Sequence, residues 1–156
     1  MNAELRIKKT DSRDHDFIQL VTELDKYLSV LNGDKDAFYA QFNKIENINH
    51  CVIAYFDHQP IACGAMRPLD TQAMEIKRMF TKPNFRRKRV AEKILSELES
   101  WAHQLGYDFC ILETGKFMPD AIALYQKRNY QVTDNYGQYI GNEDSLCFKK
   151  YLSKYL

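Results

Sequence analysis

The apolar positions of the N-terminal third predict a strand followed by two helices. A short strand is expected at residues 5–8, and apolar side chains after Asp14 recur at helical spacing. These side chains are Phe17, Leu20, Val21, Leu24, Leu28 and Leu31. Asn32 and Gly33 end this helix, a second short helix is predicted at residues 36–44, and the Asn-rich stretch up to His50 indicates a loop.

The middle of the chain predicts three strands and one long helix. Two apolar runs at residues 51–56 and 61–66 flank the turn Asp57-His58-Gln59-Pro60, which indicates a β-hairpin. A third strand is predicted at residues 74–81, and Lys82-Pro83 ends it because proline cannot donate to a strand ladder. The most regular helical stripe follows at residues 90–105 and is closed by Gly106.

The C-terminal third alternates strands with one further helix. A strand at residues 109–113, a turn at Thr114-Gly115, a helix at residues 119–128 and strands at residues 130–132 and 145–151 are predicted. We therefore predict one α/β domain over residues 1–156. Its central, mostly antiparallel twisted sheet would have about six to seven strands, flanked by about four helices.

The composition of the 156-residue chain excludes several classes of protein. Its 45% apolar residues, with ten Tyr and nine Phe, exclude disorder and suffice for one buried core. No apolar run approaches the ~20 residues needed to span a bilayer, and the N-terminus lacks the apolar core of a signal peptide. The formal charge of +1 gives no support to a general polyanion binder. We expect a cytoplasmic protein that does not bind a membrane.

The cysteines and histidines do not form a metal-binding pattern. Cys51, Cys63, Cys110 and Cys147 each lie in an apolar or β-branched run, and none belongs to a CxxC pair. The histidines show no ligand spacing either, so we expect no metal. Buried thiols in a reducing compartment are predicted, with a disulfide or a nucleophilic cysteine as the alternative.

Residues 73–91 join an extended segment that carries Glu75 to a basic loop and then to the helix at residues 90–105. Backbone N–H groups at a helix start have no partner within the helix and lie at the positive end of its dipole. A strand, a loop and a helix start in this order predict a site for phosphate groups. The alternative for Arg86-Arg87-Lys88-Arg89 is a solvated loop or a nucleic-acid patch.

Three segments in this order resemble the GCN5-related N-acetyltransferase (GNAT) superfamily. Residues 86–91 are similar to its acetyl-CoA loop Arg/Gln-x-x-Gly-x-Gly/Ala, and residues 121–130 to its A-x-x-L-Y-x-x-x-G-F/Y segment, with Arg89 and Asn129 at the usual glycine positions. Glu75 stands eleven residues before Arg86, where many members place a catalytic carboxylate. The likeness covers about residues 50–152 and, within the superfamily, extends to a group of small bacterial acetyltransferases.

The resemblance implies acetyl-CoA as the cosubstrate and a set of residues that bind it. The backbone of the strand at residues 74–81 would pair with the pantetheine arm, and an amide near Met79 or Phe80 would stabilise the oxyanion. The loop and helix start would hold the phosphates through amides and guanidinium groups. The residues implied are Met79, Phe80, Thr81, Arg86, Arg87, Lys88, Arg89, Val90 and Ala91.

Glu75 is the general base that the resemblance implies, acting directly or through water. Strand alternation predicts that Glu75 shares one face with Lys77, Met79 and Thr81. The structural alternative is an exposed strand carboxylate paired with Lys77 or Arg67.

Tyr125 is the implied acid, which would protonate the departing CoA thiolate because a phenol and a thiol have similar basicity. A core aromatic is the alternative for Tyr125. Glu113 is a reserve base, although capping of the following turn is its more ordinary role.

The sequence as a whole predicts an acetyl-CoA-dependent N-acetyltransferase acting directly on a primary amine, with a small molecule favoured as acceptor. The alternative is a non-catalytic acyl-CoA binding or sensing module with the same fold, which Arg89 and Asn129 motivate. A nucleic-acid binder is a third class, and the balanced net charge counts against it.

Acceptor selectivity is expected in the N-terminal third and in the loops around residues 67–71 and 135–141. Aromatic residues there would line the acceptor pocket or belong to the core. They are Tyr27, Phe38, Tyr39 and Tyr136. Residues 148–152 are predicted to form an outer strand, where pairing with a second subunit would give a homodimer.

Overall fold

The computed structural model describes residues 4–40 and 47–153, excluding the side chains of Phe38 and Tyr39. Its strands are β1 (Leu5–Thr10), β2 (His50–Phe56), β3 (Gln59–Pro68), β4 (Ala73–Thr81), β5 (Phe109–Gly115), β6 (Gln131–Thr133) and β7 (Ser145–Tyr151). Its α-helices are α1 (His15–Asn32), α2 (Asp36–Ala40), α3 (Val90–Gln104) and α4 (Pro119–Lys127). The predicted helix at residues 36–44 is thus found as α2, and its last four positions lie outside the described residues.

The strands follow the order β1-β2-β3-β4-β5-β7-β6, which confirms a mixed α/β fold with a seven-stranded sheet. β1 pairs with β2, β2 with β3, β5 with β7 and β7 with β6, all antiparallel. β4 and β5 are parallel and pair only from Ala73↔Phe109 to Glu75↔Ile111. The sheet is therefore mostly antiparallel, as predicted.

Two details of the C-terminal strands differ from the predictions. β5 continues through Thr114 and Gly115, so these residues belong to a strand and not to a turn. β7 pairs with β5 along its whole length and with β6 at residues 147–149, so residues 148–151 are not an outer strand. Pairing on both edges was not visible in the sequence because the short β6 lacks a strong apolar pattern.

The described chain divides into two compact units. The first unit comprises residues 4–40, 47–67 and 77–98, and the second unit comprises residues 68–76 and 99–153. β4 enters the first unit after Ile76, and α3 enters the second unit after Leu98. The single domain over residues 1–156 stays a prediction.

The core of the first unit lies between α1 and its strands. The buried face of α1 is formed by Phe17, Leu20, Val21 and Leu24, which belong to the apolar stripe that predicted the helix. Gly64 of β3 is required for close packing. A Cβ atom there would lie 2.6 Å from Met79 Sδ and 2.7 Å from Ile94 Cγ2, well inside contact distance.

The second unit contains a buried ion pair between α3 and β7. Lys150 Nζ lies 2.9 Å from Glu99 Oε1, and the two side chains are only 2% and 1% exposed. Arg128, which follows α4, approaches the same carboxylate oxygen at 3.8 Å. The two cations offset the cost of burying the Glu99 charge, which would be large without a partner.

We expect Lys150→Met to lower the free energy of unfolding by about 3–5 kcal/mol, because it leaves Glu99 buried with a weaker partner. Urea unfolding measures the loss. Lys116→Met is the matched control, since Lys116 is exposed in the same unit, and a change below about 0.5 kcal/mol is expected there. Similar stabilities for the two variants would contradict a stabilising role for the buried pair.

Candidate active site

The first unit contains the predicted phosphate loop. β4 leads into a 3₁₀ turn at Pro83–Phe85, and residues 86–89 then connect to α3. The amide of Lys93 donates to the Arg89 carbonyl at 3.2 Å, which is the first hydrogen bond of the helix. The amides of Val90 and Ala91 come before it and therefore have no acceptor within the helix. These amides lie at the positive end of the α3 dipole, as an anion site requires.

The backbone of the loop is left-handed at two arginines. Arg87 has φ +63° and Arg89 has φ +64°. A left-handed residue other than glycine costs roughly 1–2 kcal/mol. When a left-handed residue stands next to a right-handed one, their successive backbone N–H groups point into the same concavity, and an anion can bind there. Arg89 therefore takes the kind of backbone conformation that glycine adopts freely, while adding a guanidinium group.

Arg86 is held by the protein around it. Its Nε donates to the Thr81 carbonyl at 2.9 Å, and its Cζ lies 5.1 Å from the ring centre of Tyr27 on α1. These contacts tie the loop to β4 and α1. Arg87, Lys88 and Arg89 are exposed, as is Arg86. Arg86 therefore helps to shape the loop through Nε, and direct contact of its guanidinium group with phosphate stays a prediction.

β4 does not alternate in the predicted way throughout its length. Arg78 has φ +59°, which interrupts the extended backbone, so residues 75, 77, 79 and 81 cannot share one face by simple alternation. The Arg78 side chain is 1% exposed and forms an ion pair with Asp25 of α1. Met79 packs next to Gly64 and Ile94. Simple alternation therefore does not place these four residues on one face, and the common groove stays a prediction.

The second unit places the carboxylate of Glu75 in a polar cluster. Glu75 is 2% exposed, so the alternative of an exposed strand carboxylate is wrong. Tyr136 donates its hydroxyl to Glu75 Oε2 at 2.6 Å. Burial, and then the negative charge of Glu75, raise the pKa of Tyr136. The phenol is therefore protonated at neutral pH and acts as a hydrogen-bond donor.

The second candidate base, Glu113, lies inside β5. Its Oε2 accepts a hydrogen bond of 2.6 Å from Ser145 at the start of β7. Asn142 donates through Nδ2 to Ser145 Oγ at 2.8 Å. The capping role predicted for Glu113 depended on a turn after residue 113, and the structure has strand there.

Tyr125 is buried on α4 among aromatic rings. Its ring centre lies 5.7 Å from that of Tyr130 and 6.0 Å from that of Phe148. Burial, and then the charge of Glu113, raise the pKa of Tyr125. The structure thus shows the packing of a core aromatic. The raised pKa removes the close match in basicity between this phenol and a thiol, and the role of Tyr125 as acid stays a prediction.

All four cysteines are free and buried. Burial is the largest cause that raises the pKa of Cys51 and of Cys110 to about 12, and that of Cys147 to about 11. Thiols with these pKa values are inert near neutral pH. The prediction of buried thiols is confirmed, and neither a disulfide nor an activated cysteine is found.

Comparison with known proteins identifies the family. Residues 17–130 match the model of the acetyltransferase (GNAT) family. The chain belongs to the GNAT family. It is 29% identical to the IAA acetyltransferase of Azospirillum brasilense over 142 residues, which are 85% of this chain and 88% of that relative.

Solved structures of GNAT proteins share the fold. A Klebsiella pneumoniae protein provisionally named an acyl-CoA N-acyltransferase superposes with a TM-score of 0.80 at 26% identity, covering 97% of this chain and 99% of its own. A GNAT acetyltransferase from Elizabethkingia anophelis with acetyl-CoA bound gives a TM-score of 0.71 at 16% identity, covering 97% and 100%. The predicted superfamily is confirmed, and the protein is an acetyltransferase of the acyl-CoA-dependent GNAT type.

The GNAT sequence motifs found most of the candidate residues but not their polar partners. Tyr136 was predicted as an aromatic residue of the acceptor pocket or of the core, and neither Ser145 nor Asn142 was predicted as a site residue. Tyr136 lies 61 residues from Glu75 in the chain, and no spacing rule joins two such positions. Among residues 4–40 and 47–153, no group of three or more His, Cys, Asp or Glu side chains could hold a metal ion. Nor is any helix in these ranges long and apolar enough to cross a membrane.

We expect Arg89→Gly to keep more affinity for acetyl-CoA than Arg89→Ala. Both variants remove the guanidinium group and keep the amide, but only glycine takes a φ of +64° without steric cost. A difference of about 1–2 kcal/mol corresponds to roughly fivefold or more in Kd, which calorimetric titration with acetyl-CoA resolves.

Arg6→Ala is the control for this comparison, because it removes an exposed guanidinium group from β1 of the same unit. Equal losses for the two Arg89 variants would mean that the side chain, and not the left-handed backbone, carries the binding.

Proposed function

We propose that this GNAT enzyme transfers the acetyl group of acetyl-CoA to the primary amine of a small molecule, by direct transfer within a ternary complex. The observation that carries the proposal is the buried carboxylate of Glu75, which accepts the Tyr136 hydroxyl at 2.6 Å. A carboxylate held in this way, at the position where the family resemblance implies a base, is suited to take a proton from an ammonium group.

Acetyl-CoA would be bound by β4 and the loop that follows it. The amides of Val90 and Ala91 and the left-handed backbone at Arg87 and Arg89 favour the pyrophosphate. The exposed Arg87, Lys88 and Arg89 add positive charge. The backbone of Met79, Phe80 and Thr81 would pair with the pantetheine arm.

The chemistry needs one base and one acid. Glu75 would take a proton from the ammonium group, directly or through water, and the neutral amine would attack the thioester carbonyl. An amide near Met79 or Phe80 would stabilise the oxyanion of the tetrahedral intermediate. The C–S bond then breaks as the carbonyl group re-forms, and Tyr125 would donate its proton to the CoA thiolate. The second proton of the acceptor nitrogen would pass through solvent to the Tyr125 phenolate, which leaves a neutral amide and restores the acid.

An amine acceptor fits the charge of the second unit. Burial is the largest cause that raises the pKa of Tyr139, and the negative charges of Glu113 and Glu75 raise it further. Both carboxylates therefore lie within electrostatic range of Tyr139. Negative charge attracts an ammonium group and repels an anionic acceptor. Acetyl transfer to nitrogen also agrees with the N-acyltransferase name of the Klebsiella structural relative. The N-terminal third and the loops around residues 67–71 and 135–141 remain the predicted source of acceptor selectivity.

The match to an acetyltransferase family counts against the alternative of a non-catalytic acyl-CoA sensor. That alternative depended on Arg89 and Asn129 in place of glycines, and these residues have φ +64° and +72°, within the left-handed region that glycine adopts freely. A cytoplasmic location, a homodimer and the absence of nucleic-acid binding remain predictions.

We expect Glu75→Gln to lower kcat at least a hundredfold and to leave the Kd for acetyl-CoA within about twofold, because the amide keeps the shape of the side chain and removes the base. Thiol release against a panel of small amines measures the rate, and calorimetry measures the Kd. Glu97→Gln, on the exposed side of α3, is the control. No acetyl-CoA affinity and no thiol release with any amine would remove the proposed function altogether.

Tyr125→Phe should lower turnover more than it lowers acetyl-CoA binding. The variant keeps the ring contacts with Tyr130 and Phe148 and removes only the proton that the thiolate would receive. The same two assays apply. Equal losses of rate and affinity would argue that Tyr125 serves packing alone.

A further inference from the structure

The segment of residues 134–144, here the β6–β7 loop, is organised by hydrogen bonds from its own side chains. Asn135 donates through Nδ2 to the carbonyl oxygens of Tyr139 and Asn142, at 3.0 and 3.1 Å. A 3₁₀ turn at Gly137–Tyr139 lies between these contacts. Bonds between its two ends give the loop one defined conformation, although it lies outside the sheet.

Tyr136 is positioned by this loop. Its ring packs edge-to-face against Tyr139, with ring centres 5.5 Å apart and an interplanar angle of 77°. Tyr139 is itself buried, so it supplies a stable surface for the ring of Tyr136. The direction of the Tyr136 hydroxyl is therefore set by the loop as well as by its acceptor.

The hydroxyl meets the carboxylate of Glu75 at 2.6 Å between Oη and Oε2. This is the length expected when a neutral hydroxyl donates to an ionised carboxylate. Such a bond supplies a partner to a polar side chain that is only 2% exposed, and it restricts rotation of the carboxylate. A general base needs this restriction, since its oxygen must point at the acceptor.

We propose that Tyr136 is a positioning residue for the reaction, which holds the Glu75 carboxylate oriented so that it can take the acceptor's proton. This inference rests on the proposed function, because it assigns a role that acts through the base. In this arrangement the β6–β7 loop connects acceptor selection with catalysis, since a change of loop conformation moves the group that orients the base.

A purely structural role makes a different prediction. If Tyr136 served only to pack against Tyr139, removal of its hydroxyl would change the rate by the same factor whether or not Glu75 is present. A double-mutant cycle on the rate separates the two cases, because residues that act through one another give non-additive effects.

The experiment compares kcat for the wild type, Tyr136→Phe, Glu75→Gln and the double variant, at saturating acetyl-CoA and with the best amine of the panel. Tyr136→Phe keeps the ring, and it should lower kcat about tenfold to a hundredfold, which matches the loss of one hydrogen bond to a charged group. In the Glu75→Gln background the same change should alter kcat by less than about twofold. Tyr151→Phe is the control, since Tyr151 is 55% exposed in the same unit.

Each outcome decides the question. If the kcat losses of the two single variants multiply in the double variant, or if Tyr136→Phe keeps wild-type turnover, the positioning role is overturned. Neither result affects the assignment of Glu75 as base. Wild-type turnover in Glu75→Gln overturns the base assignment and this inference with it. If Tyr136→Phe does not fold, the cycle is repeated with Tyr136→Met, which also removes the hydroxyl donor and keeps a long apolar side chain, and the same additivity criterion applies.

Discussion

The hydrogen bond between Tyr136 and Glu75 is the interaction on which the second unit's candidate site depends. A carboxylate with 2% exposure is costly to bury without a donor, and Tyr136 supplies one from a loop that its own asparagines fold. The parallel pairing of β4 with β5 ends at Glu75, so this residue occupies the last paired position of that contact. Strand pairing and loop folding together define where the carboxylate points.

The predicted phosphate loop has an unusual backbone conformation at two of its arginines. Arg87 and Arg89 are held at positive φ, a conformation that costs free energy for any residue with a Cβ. Contacts of Arg86 with Thr81 and Tyr27 hold the loop against β4 and α1 and so help to maintain that conformation. Backbone strain at a ligand-binding loop is common where amides must converge on one anion.

Elements with long apolar stripes were predicted closely, whereas short or polar features were not. The stripe from Val90 predicted α3 almost to its last residue, and the run from Ser145 predicted β7 with its observed bounds. β6 is three residues long, so its pairing with β7, and hence the interior position of β7, had no local signal. The interruption of β4 at Arg78 is likewise absent from the sequence pattern, because it depends on backbone geometry and an ion pair with α1.

The sequence by itself determined the order of strands and helices, the GNAT family and the candidates Glu75, Tyr125 and Arg86 to Ala91, because periodicity and motif spacing are local properties of a chain. Only the tertiary structure decided that Glu75 is buried and accepts a hydrogen bond from Tyr136. It likewise decided that Ser145 donates to Glu113 and that Arg86 contacts Thr81 and Tyr27. These contacts join residues that strand pairing and loop folding bring together. Burial and partner geometry, which set the charge state and orientation of a catalytic group, arise from that assembly.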